Sequence, residues 1–255
     1  MRNLREIWKR GEPAWGGWCT IPSPWAAEVM GRAGFDYVNV DMQHGLIGYG
    51  DMVGMVQAIH ATDAAAIVRV PWNAPDHIMK ALDAGAQGVI IPMVNSPEEA
   101  LQAAGATRYA PAGYRSYGPV RSRFMLEKYT AEAANADVIC CVMVETATGV
   151  DRVDEIVSLA GVDVIYIGPN DLAISIGAPP TYAPEAGEHR RLIETVIGAC
   201  KRHGKVAGIQ CSGVDQGRLW ADNGVRMLSV VTDTNALLET SKSVLDGLRK
   251  TKARA

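Results

Sequence analysis

The residues of this chain with chemistry to offer stand at a few separate places: Asp41 and His44 three positions apart, Arg69, Glu145 and Asp171. Residues 38–45 read Val-Asn-Val-Asp-Met-Gln-His-Gly, an apolar strand that ends within three positions in a carboxylate and an imidazole. If the chain turns there, as Gly45 and Gly48 allow, Asp41 can hold one ring nitrogen of His44 and make the other a better base. Alone, Asp-x-x-His serves a structural role as readily as a catalytic one.

Glu145 and Asp171 end two further apolar runs. Two carboxylates with room for water make a hard oxygen site suited to Mg²⁺ or Mn²⁺. The same residues also permit a structural reading, in which Glu145 pairs with Arg69 and Asp171 caps a helix. Zinc is disfavoured, because the histidines at 44, 60, 77, 189 and 203 lack ligand spacing. The lysines at 9, 80, 128, 201, 205, 242, 250 and 252 end no strand, so a Schiff base has no candidate. Carbonyl chemistry at such a site needs a metal to polarise the carbonyl. Cys140 and Cys141 lie within a strand with no histidine nearby in sequence, a poor setting for a nucleophile. No Walker loop and no Gly-x-Gly-x-x-Gly implies a nucleotide.

These residues need a scaffold that brings strand ends together. Periodicity predicts strands at 14–20, 35–40, 65–70, 88–94, 138–144, 164–167, 206–210 and 227–231, each followed by a helix. The helices are expected at 23–33, 51–60, 76–83, 97–104, 150–159, 188–203, 214–222 and 235–249, after a short N-terminal helix within 1–10. Apolar strands without alternation belong to a parallel sheet buried on both faces. Eight such units in 255 residues predict an α/β protein with a single (β/α)₈ TIM barrel spanning 1–255, an open doubly wound sheet being the alternative. The site then lies where strands end. Residues 108–128 lack periodicity and carry four arginines. Following strand four, this long loop is expected at the same end, and a loop of that length is usually functional.

A net charge of −3 gives no reason to expect nucleic acid or an anionic membrane as partner. The first residues lack a signal-peptide core, no apolar run approaches the length of a membrane span, and five cysteines without Cys-x-x-Cys spacing fit reduced thiols. The expected setting is cytoplasmic.

Asp-Met-Gln-His-Gly at 41–45, Arg-Val-Pro at 69–71, Leu-Asp-Ala-Gly-Ala at 82–86, Gly-Tyr-Arg-Ser at 113–116, Val-Glu-Thr at 144–146 and Gly-Pro-Asn-Asp-Leu at 168–172 together resemble the HpcH/HpaI aldolase family. The likeness runs from the first strand to the last helix. It implies class II aldol cleavage of a 4-hydroxy-2-oxo acid to pyruvate and an aldehyde, dependent on Mg²⁺, Mn²⁺ or Co²⁺. It implies Glu145 and Asp171 as metal ligands, Arg69 at the keto oxygen, and His44, supported by Asp41, as base toward the C4 hydroxyl. Asn170 would give a backbone donor to the pyruvate carboxylate, beside Met143. Asp83 would enter from a neighbouring subunit to raise the basicity of that histidine; the alternative is a helix-end residue with no partner.

Some relatives carry glutamine where this chain has Met143, or glutamate where it has Gln43, so a hydrogen bond and a charge near the base differ. Arg115, Arg121 and Arg123 fit an acceptor bearing hydroxyl or carboxylate groups, a phosphate, or solvent alone. The resemblance also implies a homohexamer, a trimer of dimers, with the last helix packed on a neighbour through Leu237, Leu238, Val244, Leu245 and Leu248. Two other functions stand beside this one: a lyase of the same superfamily acting on coenzyme A esters or dicarboxylates, and a barrel that binds a small acid without turning it over.

Overall fold

Eight strands, of which the second to the sixth are mostly apolar and buried along their whole length, pair in parallel in sequence order until the last returns to the first. The computed structural model describes residues 2–184 and 186–252. In chain order the elements are α1 (Leu4–Lys9), β1 (Ala14–Cys19), α2 (Pro24–Arg32), β2 (Tyr37–Asp41), α3 (Tyr49–Ile59), β3 (Ala65–Arg69), α4 (Pro75–Asp83), β4 (Gly88–Ile91), α5 (Pro97–Thr107) and a 3₁₀ turn (Ser122–Phe124). They continue with α6 (Ala131–Asp137), β5 (Ile139–Val144), α7 (Ala147–Asp151), α8 (Val153–Ser158), β6 (Val164–Ile167) and α9 (Pro169–Ser175). The chain closes with α10 (Glu188–Arg202), β7 (Val206–Gln210), α11 (Gly213–Asp222), β8 (Met227–Thr232) and α12 (Asp233–Lys252). This is the (β/α)₈ barrel expected from the sequence.

Each strand has two apolar faces because each serves two cores. Val38, Val40, Val68 and Val142 face the helices, whereas Trp18, Tyr37, Ile67, Met143 and Tyr166 fill the barrel. The Tyr37 and Tyr166 hydroxyls meet Ser229 Oγ at 2.9 and 2.7 Å, which satisfies three polar groups inside it. Leu4 and Ile7 of α1 join the same interior cluster from below. Around them Arg5 Nη2 donates to the Val138 carbonyl at 2.7 Å and Trp8 Nε1 to the Arg226 carbonyl at 2.9 Å. The lower mouth of the barrel is thereby closed.

Local chemistry sets where elements start and stop. Ser23, Ser96 and Thr146 accept backbone N–H groups of Ala26, Glu99 and Gly149, so each caps the helix after it. Strand β4 stops at Ile91, short of the expected 94, because Pro92 has no N–H to donate and Met93 turns the chain with φ +57°. The helix expected over 150–159 is two short ones, α7 and α8. Helix α9 carries Pro169 in its first turn, where its missing N–H costs nothing, and Asp171 in the same turn rather than at the cap.

The loop of residues 108–128 does not lie where the sequence reading put it. It follows α5, not β4, and a helix of this barrel runs back to the opposite end. Arg121 bonds His60 Nδ1 at 2.7 Å and the Ala84 carbonyl at 3.0 Å, at the ends of α3 and α4 that lead back into the sheet. No helix among the described residues is long and apolar enough to cross a membrane.

Candidate active site

At the carboxyl ends of the strands a cavity of about 580 Å³ opens to solvent, lined by Trp18, Asp41, His44, Arg69, Glu145 and Asp171 among others. Arg69 ends β3 and Asp41 ends β2, paired in register and both buried. Arg69 Nε donates to Asp41 Oδ1 at 2.8 Å and Nη2 to Oδ2 at 2.5 Å, a two-pronged ion pair. The structural pairing of Glu145 with Arg69, left open by the sequence, is therefore not the one formed.

Asp41 has no acceptor capacity left for the His44 ring. Its Oδ1 also takes the backbone N–H of Gln43 at 3.0 Å and of His44 at 3.2 Å, and its Oδ2 takes Trp18 Nε1 at 3.1 Å. Five donors saturate a carboxylate with about four lone-pair sites. The Asp41–His44 ring contact expected from the spacing is absent; Asp41 fixes the loop backbone that carries His44 and anchors the guanidinium. Burial pushes the Asp41 carboxyl upward, but the Arg69 bond and charge and the Trp18 bond outweigh it and hold it below the usual carboxylate range.

Trp18 was missed by sequence reasoning because it sits inside an apolar strand. Its ring lies 4.8 Å from the Arg69 guanidinium carbon, so the same residue bonds the anion and stacks on the cation. Arg69 lines the cavity, and its Nη1 has no acceptor among the described residues.

Glu145, buried just past β5, accepts the Met93 N–H at 2.8 Å through Oε1. The left-handed Met93 backbone directs that N–H, a role no side-chain pattern announces. Burial pushes the Glu145 carboxyl up to about 7; the Met93 bond and Arg69 pull it back, and nearby Asp171 raises it further. Its Oε2 takes no hydrogen bond among the described residues. A Cβ at Gly168 would overlap that oxygen, so glycine there leaves the carboxylate its space. Asp171, exposed in the first turn of α9, completes a two-carboxylate pair that follows the adjoining strands β5 and β6, and no third His, Cys, Asp or Glu joins them in a metal-sized group among the described residues. A buried carboxylate with a free oxygen and a second carboxylate beside it fits a hard divalent cation that keeps water or substrate in its other positions. Met143 adds apolar wall, and Asn170 presents a first-turn N–H.

Asp83 is not brought to this cavity. It ends α4 at the opposite mouth, where Arg115 Nη2 bonds its Oδ1 at 2.5 Å. Arg123 Nε bonds the Pro119 carbonyl at 3.1 Å. None of the three loop arginines lines the cavity of its own barrel. Asp233 and Thr146, at strand ends like the others, serve structure: Asp233 receives the N–H groups of Thr20, Ile21 and Thr234. The five cysteines are free and buried, and burial pushes the Cys140 thiol up to about 12, far from a nucleophile's range.

The family model for HpcH/HpaI aldolase/citrate lyase matches residues 16–239. A hydroxypyruvate/pyruvate aldolase of Rhizorhabdus wittichii is 35% identical over 98% of this chain and 99% of its own. A 2-dehydro-3,6-dideoxy-6-sulfogluconate aldolase of Pseudomonas putida is 32% identical over 94% of each chain. The crystal structure of an HpcH/HpaI aldolase/citrate lyase family protein from Burkholderia cenocepacia superposes with a TM-score of 0.90 at 30% identity, covering 98% of this chain and 100% of the other. The chain belongs to the HpcH/HpaI aldolase/citrate lyase family and is a carbon–carbon lyase.

Proposed function

We propose that this protein catalyses reversible, divalent-metal-dependent aldol cleavage of 4-hydroxy-2-oxo acids to pyruvate and an aldehyde. The observation that carries the reading is the placement, in one cavity, of the Glu145–Asp171 pair, an anchored Arg69 and an exposed His44.

Glu145 and Asp171 would hold a Mg²⁺, Mn²⁺ or Co²⁺ ion, which would supply Lewis acidity toward the 2-keto group. Arg69, immobilised by Asp41 and Trp18, directs its remaining N–H groups at the keto oxygen, where negative charge builds as the C3–C4 bond breaks. His44 takes the C4 hydroxyl proton, the hydroxyl carbon leaves as aldehyde, and the electron pair of the broken bond passes into the pyruvate enolate. A proton then returns to C3. The N–H of Asn170 meets the pyruvate carboxylate, and Met143 packs against its methyl side.

Asp83 faces away from its own cavity, so its role as a partner to the histidine requires a second copy. We place it there as part of a homohexameric trimer of dimers. Helix α12 supports that assembly: past its start beside β1 and β8, Leu237, Leu238, Val244, Leu245 and Leu248 are all exposed. Five buried free thiols fit a cytoplasmic setting.

The test is pyruvate release from 4-hydroxy-2-oxo acids by purified protein, after chelation and after adding Mg²⁺, Mn²⁺ or Co²⁺. Activity confined to the metal-loaded samples is expected; full activity under complete chelation would sink the mechanism. Proton and metal compete for Glu145, so apparent metal affinity should fall roughly tenfold per pH unit below about 7. In the metal-free protein the sign for stability is fixed by the same shift. The folded state holds the Glu145 proton more tightly than an unfolded glutamate, so this stabilisation is full below about 4.5 and is lost as pH rises through about 7.

Gly168→Ala should displace the Glu145 carboxylate and weaken Mn²⁺ binding at least about tenfold, the range seen when a ligand's support is removed. Titration of Mn²⁺ followed by electron paramagnetic resonance measures this, and unaltered affinity would place the ion elsewhere.

A further inference from the structure

The catalytic cavity has two chemically different arcs. Glu145, Asp171 and Arg69 hold one side; on the other, where β7 and β8 meet β1, the wall is built from Thr20, Leu46, Tyr182, Gln210 and Asn235. This second arc contains no lysine or arginine. Its threonine hydroxyls are already engaged: Thr20 Oγ1 donates to Asp233 Oδ1 at 2.8 Å, and Thr232 Oγ1 accepts the Asn235 N–H at 3.1 Å. The side-chain amides of Gln210 and Asn235 have no hydrogen-bond partner among the described residues, and both border the cavity.

From this wall we infer the class of acceptor: Gln210 and Asn235, beside Tyr182, form a subsite for the hydroxyl groups of an uncharged hydroxyaldehyde. The inference rests on the aldol reading above. An amide offers two donors and an acceptor, which matches a hydroxyl that both donates and accepts. Charge points the same way. Asp41, Glu145 and Asp171 are balanced by Arg69 and a divalent ion, so bound pyruvate leaves the site net negative. A carboxylated or phosphorylated acceptor would add negative charge beside neutral donors, and among the described residues the one lysine or arginine lining this cavity is Arg69, already paired with Asp41. In synthesis His44 takes a proton from pyruvate C3, the enolate carbon bonds the aldehyde carbon, and the imidazolium so formed protonates the new alkoxide, so the rest of the acceptor projects onto this arc.

The experiment runs in the synthetic direction on the metal-loaded wild-type enzyme, with glyceraldehyde, propanal, succinic semialdehyde and glyceraldehyde 3-phosphate as acceptors. Glyceraldehyde should exceed each of the others in kcat/KM by roughly tenfold or more, the effect of one or two neutral hydrogen bonds. In Gln210→Leu, and independently in Asn235→Leu, the ratio of glyceraldehyde to propanal should narrow about fivefold. That ratio cancels any shared loss in pyruvate activation. Preference for either anionic acceptor, equal use of propanal, or ratios unchanged in both variants would overturn the assignment. Exchange of the pyruvate C3 hydrogens in D₂O without any aldehyde separates the two levels. Its absence in metal-loaded protein defeats the aldol reading itself, whereas exchange together with the wrong acceptor order defeats only the subsite.

Discussion

Arg69→Met should cost about 3–5 kcal/mol of stability, the usual penalty for removing one partner of a buried ion pair, and at least about 10²-fold in kcat/KM, as for the loss of an oxyanion donor. Both losses come from one geometry. Asp41 is 1% exposed and gives both oxygens to the guanidinium, so methionine leaves a buried carboxylate with its cation gone. Adding Asp41→Asn removes the stranded charge. The double variant should regain part of the stability and none of the turnover. Urea denaturation and pyruvate release measure the two separately; a single variant as stable as wild type would show that the pair does not hold this floor together.

His44→Ala should lower aldol cleavage by roughly 10²- to 10⁴-fold, the range for a general base, with stability and metal affinity unchanged because the side chain is exposed and outside the carboxylate pair. Near-normal turnover would remove His44 from the mechanism. The structure adds a sharper expectation about its neighbour. Asp41 touches His44 through the backbone alone, and Arg69 through its side chain. Double-mutant cycles should then find strong coupling in kcat/KM between Asp41→Asn and Arg69→Met, and weaker coupling between Asp41→Asn and His44→Ala. A dyad acting on the imidazole ring predicts the reverse order.

What the sequence disclosed, and what it hid, follow from the range over which each interaction acts. Strand and helix periodicity is local, so eight strands and the residues at their ends were legible, including Glu145, Asp171, Arg69 and His44. Partner choice is not local. Asp41 lies three residues from His44 and 28 from Arg69, yet the register of β2 against β3 sets the closer pairing. Trp18 and the Met93 backbone act through polar groups on residues whose types speak only of burial. The arginine loop was assigned to the wrong mouth because it was counted from β4 across α5; a helix of 11 residues returns the chain to the far side.

The first helix has a consequence for how the chain folds. Residues of α1 reach Val138 and Asp163 through Arg5, and Arg226 through Trp8, the last of these 218 positions away. This segment, early in the chain, therefore has no complete docking surface until the last strand has been added and the ring has closed. Contacts of such sequence separation form late, because the chain must be looped before they repay it. In refolding experiments the fluorescence of Trp8 should settle only in the final phase, so α1 serves as the clasp that registers ring closure.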